Sequence, residues 1–115
     1  MESKVYVVSR CCPVGCGVDV VLLAALHTHT LFAFCDSCGC TWADPGDATF
    51  ERGVNEVTGL SQRAPAGIEL ATGDQIKTEG LESLVLKVLS ERDWYLTLKE
   101  LNDHIRAEVA REKAT

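Results

Sequence analysis

Six cysteines fall between Cys11 and Cys40 of a 115-residue chain, gathered into two short clusters. The first is Cys11-Cys12-Pro13-Val14-Gly15-Cys16-Gly17 and the second is Cys35-Asp36-Ser37-Cys38-Gly39-Cys40. Eighteen residues separate Cys16 from Cys35, inside the interval expected between the halves of a paired four-cysteine metal site. Any fold open to this chain must therefore bring two loops to one place. Zinc takes four thiolates tetrahedrally, and two short loops supply two each. A glycine behind each loop, Gly17 and Gly39, lets the backbone turn tightly and aim amide N–H groups at the sulfurs. Such crowding argues against isolated core cysteines, and a disulfide set requires an oxidising compartment. The amino-terminal stretch MESKVYVVSR has no apolar core of an export signal, so an intact, cytoplasmic chain is expected.

Taken together, Cys12-Pro13, Cys16-Gly17, an intervening hairpin and Cys35-x-x-Cys38-Gly39 resemble a zinc ribbon, a rubredoxin-like pair of zinc knuckles, over about residues 4–45. The second knuckle keeps the usual two-residue spacing. The first has three residues between Cys12 and Cys16, or four between Cys11 and Cys16, which leaves the first ligand open between Cys11 and Cys12. Pro13 matches the knuckle pattern and favours Cys12. The resemblance implies a structural Zn2+ held in a closed sphere by Cys12, Cys16, Cys35 and Cys38. Iron is the rival metal for four thiolates. Cys40 and the unused member of Cys11/Cys12 read as small apolar residues beside the site, ahead of a regulatory thiol pair.

Around this stretch the chain reads as one α+β domain over residues 1–115. Lys4–Ser9 is a strand, followed by Val18–Leu26 and Leu31–Phe34 as a hairpin joined through His27-Thr28-His29-Thr30. Thr41-Trp42 adds a short strand, closed by the turn signal Asp44-Pro45-Gly46-Asp47. Residues 46–73 read as an irregular linker holding one short strand at Ile68 and Leu70. Thr72-Gly-Asp-Gln75 and Thr97-Leu-Lys-Glu100 have the spacing of helix capping boxes. Leu81, Leu84, Val85, Val88 and Leu89 recur at helical spacing, with Leu86 off the stripe; Leu98, Leu101, Ile105 and Val109 do the same further on. The expectation is a small antiparallel zinc-ribbon sheet with a C-terminal helical pair, within residues 74–112, packed on it.

Charge narrows the function. Seventeen acids against 11 Lys and Arg give a formal net charge of −6. No Lys or Arg occurs between Arg10 and Arg52, so the cysteine stretch lacks the cations with which a ribbon grips phosphate. There is no phosphate loop, no HExxH and no nucleophile with a paired base, and His27 and His29 read as solvated residues at a hairpin tip. No apolar run is long enough to span a bilayer. The expectation is a non-enzymatic, zinc-stabilised protein-interaction module with a basic protein partner, such as an inhibitor, an immunity protein or an adaptor subunit. A zinc-ribbon regulator that binds nucleic acid is the alternative.

Overall fold

Two adjacent strands in the computed structural model, β2 (Val20–Ala25) and the strand Leu31–Cys35, are buried at every position, and the architecture follows from the two apolar faces of β2. The structure describes residues 4–10, 12–13, 19–26, 28–49, 57–94 and 97–114. Side chains alternate across a strand. Val21, Leu23 and Ala25 accordingly enter one core, and Val20, Leu22 and Ala24 enter another on the opposite face. Burying each large aliphatic side chain is worth about 1.5–3 kcal/mol, so both faces must be covered.

The neighbours of β2 are strands β1 (Lys4–Ser9), β3 (Leu31–Cys35) and β6 (Ile68–Leu70). β3 runs along one edge in register from Val20↔Cys35 to Ala24↔Leu31. The other edge is shared: β1 pairs at Val7↔Val21, and β6 continues at Leu23↔Leu70 and Ala25↔Ile68. Outside β3 lie β4 (Cys40–Trp42) and then β5 (Thr58–Gly59); outside β1 lies β7 (Lys87–Ser90). These seven described strands make one open sheet in which every pairing is antiparallel. At the β2–β3 turn His29 takes φ +55, the left-handed conformation that a tight connection demands.

Helices α1 (Leu60–Arg63) and α3 (Leu98–Ala114) cover the first core, and α2 (Gly73–Thr78) contributes Ile76 to the second. Thr72 and Gln75 form the expected reciprocal box at the start of α2, with Gln75 N–H donating to Thr72 Oγ1 at 3.1 Å and Thr72 N–H to Gln75 Oε1 at 2.9 Å. At α3 the Glu100 N–H donates to Thr97 Oγ1 at 3.1 Å. Leu101 and Ile105 are buried, with Leu98 and Val109 packed beside them, as their spacing requires. Asp44 caps a 3-10 turn over Pro45–Ala48 through Gly46 N–H.

The α+β class and the antiparallel sheet match expectation, but the helical pair does not. Of the two helices expected near the end of the chain, the first is a 3-10 turn at Glu82–Leu84 followed by β7. β7 lies on β1 with Val5↔Leu89 and Tyr6↔Val88 in register. The physical reason is the edge of β1: its fully buried Val5 and Val7 would otherwise carry unpaired backbone groups. Leu89 then joins the first core, while Leu86 and Val88 remain about half exposed. Within residues 46–73, expected as an irregular linker, the described part supplies the 3-10 turn, β5, α1 and β6. Among the described residues no helix is long and apolar enough to cross a membrane.

The side chain of Asn102 ties α3 to β6. Its Oδ1 accepts from Ile68 N–H at 2.8 Å, and its Nδ2 donates to Ile68 C=O at 3.1 Å. An amide thus stands in for a neighbouring strand on the side of β6 that faces away from β2. Replacing it leaves a backbone donor and acceptor without partners, at a cost of about 1–3 kcal/mol. Asn102→Ala is expected to lower Tm by roughly 5–10 °C, while Lys99→Ala on the exposed side of the same helix leaves it nearly unchanged. Equal Tm for both variants in a thermal melt would remove this tether from the account.

Candidate metal centre

The hairpin sets where the two cysteine clusters go. Because Ser9↔Val20 and Val20↔Cys35 are in register, the end of β1, the start of β2 and the end of β3 lie at the same end of the sheet. Cys12 follows β1 and Cys35 closes β3. After Cys35 the chain turns through Asp36, Ser37 and Cys38, and Gly39 N–H donates to Cys35 C=O at 2.9 Å. Gly39 sits at φ +75, which a glycine adopts without strain, and this reversal launches β4 at Cys40. The Gly39 carbonyl accepts from Leu60 N–H at 3.1 Å, so α1 braces the turn.

The sulfurs of Cys12, Cys35 and Cys38 lie within 4.8 Å of one another. Cys12 Sγ and Cys38 Sγ are 3.8 Å apart. Two thiolates bound tetrahedrally at about 2.3 Å from one zinc stand roughly 3.8 Å apart, so this spacing fits a metal as it stands. Cys12 and Cys35 are fully buried in the second core, beside Trp42 and Ala48; Cys38 is exposed. The donor set is three soft sulfurs, suited to zinc, iron or copper(I) rather than to magnesium or calcium.

Burial pushes the Cys35 thiol up to about 11. Working against burial, the backbone N–H groups of Cys38 and Ser37 donate toward its sulfur, as does the Cys38 thiol, while Cys12 raises it further. These amide donors are the kind of group that would stabilise a metal-bound thiolate. They lower the cost of a thiolate but do not by themselves ionise Cys35 at neutral pH. A cation between the sulfurs would complete the compensation.

Asp36 anchors the turn to the far part of the chain. Trp94 Nε1 donates to Asp36 Oδ2 at 3.0 Å. Burial raises the Asp36 carboxyl above the usual range, and the Trp94 bond partly opposes this. Its Oδ1 is buried without a hydrogen-bond partner among the described residues.

Of the four cysteines expected as ligands, the structure brings Cys12, Cys35 and Cys38 together; Cys16 lies outside the described residues. So do Cys11, the alternative first ligand, and His27. Cys40 is partly buried against the second core and is not one of the three clustered sulfurs. His29 is remote from them, exposed, with Nδ1 3.2 Å from Glu69 Oε1. The Asp36–Trp94 bond spans 58 positions and has no local sequence signal. Comparison with known proteins finds no matching family model, curated sequence or solved structure.

Two predictions follow from this geometry. Cys35→Ser and Cys38→Ser each lose bound metal by elemental analysis, whereas Cys40→Ser retains it; full metal content in both of the first two variants contradicts the centre. Metal binding near pH 7 also releases protons, because a Cys35 thiol that titrates at about 11 must ionise to become a ligand. The apparent affinity therefore rises with pH, by up to about tenfold per unit for each thiol that must ionise. The metal-free fold has the opposite sign: it holds the Cys35 proton longer than the unfolded chain does, so its stability falls as pH rises from 9.0 to about 11. Calorimetric titrations in buffers of different ionisation enthalpy measure the proton release, and none at pH 7 would contradict thiol ligation.

Proposed function

We propose that this chain is a zinc-stabilised protein-interaction module whose partner presents a basic surface, as an inhibitor, an immunity protein or an adaptor subunit would. In this reading Cys16 completes the sphere of Cys12, Cys35 and Cys38, and the two clusters form a zinc-ribbon centre set into a larger sheet. Zinc is structural here. A catalytic zinc keeps a position open to substrate, whereas two of these three sulfurs are fully buried in a core.

The observation that carries the interaction reading is the sign of the charge around the centre. The stretch from Arg10 to Arg52 has no Lys or Arg between its ends, and thiolates on a divalent cation add negative charge to it. A phosphate backbone is repelled by such a surface, and a basic protein surface is attracted. The nucleic-acid alternative needs cations near the metal centre, and the stretch between Arg10 and Arg52 contributes no Lys or Arg toward them.

The zinc-loaded chain, used as bait at native salt, is expected to retain a basic protein partner whose binding weakens as ionic strength rises. Retention of no protein partner, together with a shift of DNA or RNA at low salt, would replace this reading with the nucleic-acid one.

A further inference from the structure

Resting on the interaction reading above, we infer that the cleft beside the cysteine turn receives a basic side chain, arginine or lysine, from the protein partner. The cleft has a volume of about 480 Å³ and lies between the turn after β3, the start of α1 and the outer face of α3. That size suits one long side chain and the backbone next to it.

Its lining has two parts. Phe34, Leu60 and Leu101 are buried core residues that show an edge to the cleft, giving it an apolar floor. Asp36, Glu100 and Glu108 supply three carboxylates, and no Lys or Arg lines it among the described residues. Arginine and lysine are the side chains that combine an apolar stem with a cationic head. A purely apolar anchor would cover carboxylates without pairing them, and an anionic ligand would meet the like charges of Glu100 and Glu108. Cys38, the exposed member of the sulfur cluster, also lies on the wall, so a metal–thiolate centre adds its negative field to the same cleft.

Among the described residues, the groups that face these acids leave them weakly compensated. Glu108 faces His104 Nε2 at 3.4 Å, Ser61 Oγ at 3.5 Å and Arg111 at 3.9 Å; both His104 and Arg111 are largely solvent-exposed, where such pairs are weak. Glu100 accepts a hydrogen bond from the Thr97 hydroxyl, which carries no charge. Asp36 Oδ2 accepts from the neutral Trp94 indole.

The test is an amide-detected NMR titration of the metal-loaded full chain with the peptide acetyl-Gly-Ala-Arg-Ala-Gly-amide, and with the same peptide carrying citrulline in place of arginine. Citrulline keeps the shape and removes the charge. The arginine peptide is expected to give saturable shifts at the amides of Ser37, Gly39, Gly59 and Ser61, at an affinity on the order of millimolar. Citrulline should weaken it about two- to fivefold, the range expected for loss of one partly exposed ion pair, and the Glu100→Gln/Glu108→Gln chain should do the same. Equal shifts from both peptides, or shifts confined to other surfaces, would overturn the inference. Capturing the partner with the wild-type and the double-variant bait separates the two levels. Equal retention by both leaves the interaction reading standing and sinks the cleft. Retention by neither sinks the interaction reading, and the peptide titration still decides the cleft.

Discussion

Burial of β2 on both faces is the constraint from which the rest of the structure follows. A strand with only one apolar face could lie at the surface of a two-layer domain. With Val21 and Leu23 on one side and Val20 and Leu22 on the other, the chain must raise two cores from few residues. α3 and α1 close the first. The second is closed by smaller pieces: α2, the 3-10 turn after β4, and the cysteine loops themselves, since Cys12 and Cys35 are core members. A small chain that divides its apolar residues between two cores has little to spare in either, and a metal joining the loops would supply what packing lacks.

This placement couples chemistry to fold. The three sulfurs meet because β1 and β3 end together across the start of β2, not because a loop was shaped around an ion. The same packing that brings them together also desolvates Cys35 and holds its proton. Without a cation the buried Cys35 keeps its proton; with one the centre would become a coordinate link between the two cysteine-bearing loops. Negative charge gathered at this end of the sheet then faces the cleft formed with α3, which links the proposed structural role of the metal to the proposed role of the surface.

Features whose physics is local were legible in the sequence. The capping box at Thr72 and Gln75, the helical face of Leu98, Leu101 and Ile105, and the Asp44 turn depend on neighbours within one or two turns. The hairpin was legible too, from the apolar stretches Val18–Leu26 and Leu31–Phe34 on either side of His27-Thr28-His29-Thr30. Features decided by distant partners were not. Leu84, Val85, Val88 and Leu89 fit a helical stripe equally well, and only the unpaired edge of β1 makes Lys87–Ser90 a strand. Asn102 looked like an ordinary surface residue because Ile68, its partner, lies 34 positions away. The acids of the cleft come from the cysteine turn and from α3, so no stretch of sequence shows them together.

The structural role proposed for the cysteine end of the sheet requires one metal held by sulfur at the open end of the β2–β3 hairpin. X-ray absorption at the metal edge, on chain purified without added chelator, tests this most directly. The expected result is about one zinc per chain with a first shell of sulfur at roughly 2.3 Å. A chain with no bound metal, or a first shell of oxygen and nitrogen alone, would contradict it.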